Sequence, residues 1–174
     1  MTFQTTFQIN EETQSYPEKG RVSIGAVSVV FGKNANRTVA LTTTDLTLDP
    51  GTFTALIGPS GCGKSTLLNA VAGFIEPTDG KIHVDSRQVL GPHPSVGVIF
   101  QSFALFPWFT ARGNVEFALK RFGLNKEERR NRAIAALEEV ELVDHASKFP
   151  GQLSGGMKQR VAIARTLAAD PDVL

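Results

Sequence analysis

The chain has 174 residues, 41% of them apolar and 20% charged, enough for a sizeable core and unlike a disordered or fibrous polypeptide. Its 18 Lys and Arg against 17 Asp and Glu leave a formal charge of +1, which offers no electrostatic case for a nucleic-acid partner. Cys62 is the sole cysteine, so disulfide and zinc-cluster frameworks are excluded and cytosolic folding is expected.

Residues 1–20 are polar and close on Tyr16-Pro17-Glu18-Lys19-Gly20, which reads as a loose leader without the basic start and apolar core of a signal peptide. From Val22 to Phe31 the chain is apolar and β-branched, a strand. Gly32 to Asn36 turns it, and Thr38 to Leu48 is a second strand with partial alternation. Asp49-Pro50-Gly51 then feeds the apolar run Phe53 to Ile57, expected as a buried strand.

Next comes Gly58-Pro59-Ser60-Gly61-Cys62-Gly63-Lys64-Ser65-Thr66, followed by the helix-compatible Leu67 to Ala72. A strand, a glycine-rich turn and a helix form the context in which G-x-x-x-x-G-K-S holds phosphate. The glycines let backbone N–H groups point inward, and the helix start adds its positive end. Lys64 can reach the β- and γ-phosphates, and the Ser65 hydroxyl can ligate Mg²⁺. An accidental glycine-rich turn is the competing reading, and the flanks argue against it.

The helix stops near Gly73, and Lys81 to Asp85 gives a short strand with Ile82 and Val84 on one face. Val96 to Phe100 is expected as a short buried strand ending at Gln101. Phe103 to Phe109 is a dense aromatic loop. Thr110 caps a helix carrying Val115, Phe117, Ala118, Leu119 and Phe122, and Gly123 closes it. Asn125 and Glu128 form a capping-box pattern before a helix whose apolar face is Ala133, Ile134, Leu137, Val140 and Val143. Ser154 caps a further helix over 157–168, and Asp172-Val173-Leu174 resembles the entry to another strand. Taken alone, Ser154-Gly155-Gly156 is a cap and a tight turn, or a set of N–H groups for an anion. No apolar run approaches the roughly 18 residues that span a bilayer, so membrane association would come through a partner protein.

Two motifs in this order closely resemble the ATP-binding subunit of an ATP-binding-cassette (ABC) transporter, over roughly residues 20–174. Gly58 to Thr66 is similar to the Walker A loop, Gln101 to the Q-loop glutamine, and Leu153 to Met157 to the signature motif. The resemblance implies an α/β fold of the P-loop NTPase, ABC ATPase type, with an N-terminal antiparallel β layer and an inserted helical subdomain. It divides the chain into a leader (1–20), a nucleotide-binding core with β subdomain and Q-loop (21–109), a helical subdomain (110–152) and a signature segment returning to the core (153–174). Gly58, Ser60, Gly61, Cys62, Gly63, Lys64, Ser65 and Thr66 would hold ATP. Phe31 stands where the family stacks an aromatic ring on adenine, against the alternative of a core aromatic.

The family also implies two subunits closing head to tail, with Ser154, Gly155 and Gly156 touching the γ-phosphate of ATP held by the other subunit. Lys64 and Gln101 would be catalytic, and Ser65 and Gln101 would serve Mg²⁺. Phe106, Trp108 and Phe109 would either receive a membrane-spanning permease or pack a core. The likeness places the subunit at the cytoplasmic face of the inner membrane, serving permease subunits and, indirectly, a solute-binding protein. Leu105 to Thr110 and Val89 to Pro92 resemble the nitrate, sulfonate and taurine importers.

In the family an apolar strand ending in Asp, a catalytic Glu, a D-loop and a histidine switch come next, and none follows Leu174. His83, His93 and His145 are in the wrong places for that switch. The expectation for the 174 residues as written is truncation before the Walker B strand and no effective hydrolysis, because no carboxylate orients water. The alternatives are a soluble, non-transport ATPase of the same superfamily and a hydrolysis-dead nucleotide-binding module.

Overall fold

The computed structural model describes residues 19–174 except residue 33, so the expected leader lies outside it apart from its last two positions. The chain forms two compact units. One runs to Val96 and takes in Val173; the other holds 97–172 and Leu174.

The first unit is built on an antiparallel sheet of β1 (Val22–Phe31), β2 (Thr38–Leu48), β3 (Asp79–Val84) and β4 (Arg87–Gln88), in the order β2-β1-β3-β4. Alternation along β1 changes phase, since Val22 and Ile24 are buried and then Val27 and Val29. A bulge makes that possible: the register shifts between Ile24 and Val27, Ala26 takes φ +48°, and Asp45 accepts its N–H at 2.8 Å. One extra residue thus keeps the apolar side chains on the core face. Helix α1 (Lys64–Val71) lays Leu67, Ala70 and Val71 into the same core as Leu41, Ile82 and Val84, the i, i+3, i+4 face expected of a helix on a sheet. Each fully buried Val, Leu or Ile there contributes about 1.5–3 kcal/mol. Gly73 ends α1 at φ +77°, and a Cβ there would stand 1.9 Å from the carbonyl oxygen of Gly91. Glycine is the residue that fits both demands.

Two expected strands do not form ladders. Phe53 to Ile57 takes no regular secondary structure and pairs with no described strand, with Phe53 74% and Ile57 59% exposed. Val96 makes a single parallel bridge to Val173, supported by Val173 N–H on Ser95 O at 2.9 Å, while 97–100 stays half-buried or exposed. At the expected strand entry over 172–174, Val173 makes that isolated bridge and no strand forms. An apolar run reports an appetite for burial, but a strand also requires a partner backbone, and no described segment supplies one along either run.

The second unit is helical: α2 (Ala111–Ala118), a 3-10 turn over Leu119–Phe122, α3 (Lys126–Glu138) and α4 (Gly155–Leu167). Its core joins Ala111, Val115, Leu119, Ala133, Leu137, Leu142, Val161 and Ala164. The expected caps are in place. Thr110 Oγ1 accepts from Gly113 N–H at 3.1 Å, and Asn125 Oδ1 accepts from Glu127 and Glu128 N–H while Glu128 accepts from Asn125 N–H. Gly123 closes the turn at φ +68°. Val143 departs from the expected face and is 40% exposed. The helix has ended before it, and Glu141 at φ +58° redirects the chain.

Candidate functional site

Residues 58–66 curl at the start of α1. Cys62 N–H reaches Pro59 O at 3.4 Å, and Leu67 N–H opens the helix on Gly63 O at 2.9 Å. Gly63 lies at φ +94°, and a Cβ there would stand 2.6 Å from Ala40 O on β2. Packing against the sheet and the left-handed turn both exclude any other residue. Gly63 is also the N-cap, so no side chain caps α1. The N–H groups of Gly63, Lys64, Ser65 and Thr66 donate to no backbone acceptor among the described residues. Four orphan donors at a helix start make an anion cradle.

Lys64 curls back over this loop. Its Nζ donates to Gly58 O at 2.8 Å and Pro59 O at 2.7 Å, with Cys62 Sγ at 3.5 Å. The ammonium is thereby held at the loop beside the free N–H groups. Ser65 stands exposed at the second position of α1 and offers a hydroxyl oxygen. Among the described residues no group of three or more His, Cys, Asp or Glu could hold a metal. A hydroxyl beside a phosphate cradle nevertheless fits magnesium, which takes few protein ligands and completes its shell from water and phosphate.

Phe31 ends β1 opposite Thr38, and Gly63 packs against Ala40 two residues further along β2. Phe31 and the loop therefore flank the same end of the sheet. Phe31 is 48% exposed, so the core reading of that ring does not hold.

Gln101 and 154–156 belong to the second unit. Gln101 is exposed in a turn closed by Phe103 N–H on Phe100 O at 3.0 Å. Ser154 caps α4, its Oγ accepting from Met157 N–H at 3.3 Å. Gly155 and Gly156 are exposed at the first two helical positions, and a Cβ on either would meet nothing within 4 Å. No neighbour among the described residues requires glycine at either position.

Between Gln101 and α2 lies an aromatic cluster. Phe106 packs on Phe117, Trp108 and Phe109 with ring centroids 4.7, 5.6 and 5.7 Å away. Phe106 and Phe109 are half-buried, while Trp108 is 66% exposed, so the cluster is part core and part surface. Two residues that fix this loop escaped the sequence reading. Asn114 is fully buried; its Oδ1 accepts from Phe106 N–H at 2.8 Å and its Nδ2 donates to the carbonyls of Phe106, Phe109 and Thr110. Arg165 donates to the carbonyls of Phe103 and Ala104. The available signal was position: Asn114 shares the i, i+3, i+4 face of Ala111 and Val115, where a polar residue must find partners.

A protein-family model described as "ABC transporter" matches residues 41–174. The nitrate import ATP-binding protein of Synechocystis is 47% identical over 83% of this chain and 54% of its own length. The taurine import ATP-binding protein of Pseudomonas aeruginosa is 44% identical over 88% of this chain and 59% of its own. The chain thus spans little more than half the length of these relatives. A solved dimer of the ATP-binding cassette MJ0796, in a post-hydrolysis state bound to ADP and Pi, superposes with a TM-score of 0.78 at 36% identity, covering 86% of this chain and 70% of that one.

Proposed function

This chain belongs to the ABC transporter family, and we propose that it carries the ATP-handling machinery of the ATPase subunit of a membrane importer. The observation that carries this is the loop at α1, with its forced Gly63, its uncapped N–H groups and the ammonium of Lys64 held on the carbonyls of Gly58 and Pro59. In this reading the N–H groups of 63–66 bind the phosphates, with Gly58, Ser60, Gly61 and Cys62 shaping the loop. Lys64 exchanges the carbonyls of Gly58 and Pro59 for phosphate oxygens. Phe31 offers its exposed ring to adenine. Ser65 and Gln101 would hold magnesium, which neutralises charge on the transferring phosphoryl group when bound. Gln101 also orients the attacking water.

The open glycines of the signature segment support a paired arrangement. Ser154, Gly155 and Gly156 would meet ATP held by a second copy, giving backbone donors to its γ-phosphate. Trp108 and its neighbours offer an aromatic surface to a permease partner, which would hold the subunit at the cytoplasmic face of the inner membrane. Among the described residues no helix is long and apolar enough to cross a membrane. Nitrate, a sulfonate or taurine is the proposed solute class, supported by the names of the two importer relatives and by the likeness at Leu105 to Thr110.

Calorimetric titration of Mg-ATP into the intact polypeptide tests the site. Lys64→Ala removes charge-assisted bonds and should weaken binding by roughly ten- to a hundredfold with an unchanged unfolding midpoint. Equal affinity in both proteins contradicts the assignment. Copurification with a multispanning membrane protein, rather than with nucleic acid, is expected from native membranes.

A further inference from the structure

The segment around Gln101 is gripped on both sides by the last turn of α4. Upstream, Thr166 Oγ1 lies 3.5 Å from Val98 O, and a Cβ on Gly97 would stand 2.7 Å from Thr166 Cγ2. Downstream, Arg165 Nη1 donates to Ala104 O at 2.6 Å and Nη2 to Phe103 O at 3.2 Å. Its guanidinium also lies 6.0 Å from the centroid of the Phe106 ring. Phe103 and Ala104 are both left-handed, at φ +64° and +47°. Neither is glycine, and such a conformation costs roughly 1–2 kcal/mol per residue. Something must offset it, and two charge-assisted bonds to those very carbonyls are suited to do so. Burial lowers the affinity of the Arg165 guanidinium for its proton.

We propose that Arg165 is a positioning residue for Gln101: it locks the left-handed Phe103–Ala104 pair, so the conformation of the Gln101 turn is set by the helix that begins at the signature segment. The inference rests on the reading of Gln101 as the group that orients water and magnesium. Helix α4 starts at Gly155 beside the cap Ser154 and carries Arg165 in its last turn. Any displacement of that helix is thereby passed to the main chain next to Gln101. Nucleotide contact at one end of a rigid helix and control of the water-orienting glutamine at the other become one event.

The test uses the protein as isolated from its source, with ATP turnover and ATP affinity measured separately. Arg165→Met keeps the stem and removes the fork. It should lower turnover about 10- to 100-fold, the loss expected when a catalytic group is misplaced by an ångström or so, with ATP affinity within about twofold of wild type. The emission of Trp108, the only tryptophan, should shift because it lies on the loop that Arg165 holds. Adding Ala104→Gly to Arg165→Met removes part of the strain and should recover part of the lost turnover. A merely structural arginine would instead lose affinity and folded protein together and would not respond to a glycine elsewhere. If Arg165→Met does not fold, Arg165→Lys carries the same comparison, with a smaller loss because one point donor replaces the fork. Unchanged turnover in the Met or Lys variant, or no recovery with Ala104→Gly, overturns the inference. The reading it rests on fails separately, if Gln101→Ala leaves hydrolysis intact.

Discussion

Two helices in this molecule begin with glycine, and the two beginnings are built on opposite principles. At α1 the glycine is compelled from within: Gly63 has a left-handed backbone and no room for a Cβ beside Ala40 O. No side chain caps that helix, and the N–H groups of 63–66 have no backbone acceptor among the described residues. At α4 the cap is present, with Ser154 accepting from Met157 N–H, and the glycines that follow have open space around them. One helix start is a finished cradle. The other is capped and open, and in the proposed pairing it meets a second copy of the chain.

Substitution should separate the two. Gly63→Ala would force a Cβ against Ala40 O at an unfavourable φ, and is expected to cost about 3 kcal/mol, read as a lower denaturant midpoint. A loss below about 0.5 kcal/mol would mean that the turn can relax and that glycine is not compelled there. Ser154→Ala removes the α4 cap and should cost about 1 kcal/mol in the same assay. Gly156→Ala has the opposite sign, stabilising by about 0.5–1 kcal/mol because alanine favours helix and meets no neighbour. If Gly156→Ala were destabilising, the contrast between the two glycines would collapse.

Much of this was legible in the sequence, for physical reasons that can be named. The cradle at 58–66 is local, since consecutive residues supply its turn, its donors and its lysine. The caps Thr110, Asn125 and Ser154 are local too, each bonding an N–H within three residues. What could not be read depends on partners distant in the chain. Phe53 to Ile57 has strand composition but no ladder among the described residues, because pairing is a property of two segments. The bulge at Ala26 follows from a change of phase in β1 that composition conceals. Arg165 and Asn114 are single polar residues within apolar helix faces, and their roles exist only once the loop from Phe103 to Thr110 is wrapped against them.

In the proposed pairing, Gly155 and Gly156 meet a nucleotide carried by another copy of the chain. Sedimentation velocity of the intact polypeptide, with and without ATP under conditions that prevent turnover, addresses it most directly. A monomer should become a dimer when ATP is added, with about tenfold weaker pairing in Gly156→Ala despite its greater stability, because the added Cβ overpacks the shared contact. ATP binding without any change in mass, or undiminished pairing in Gly156→Ala, would contradict it.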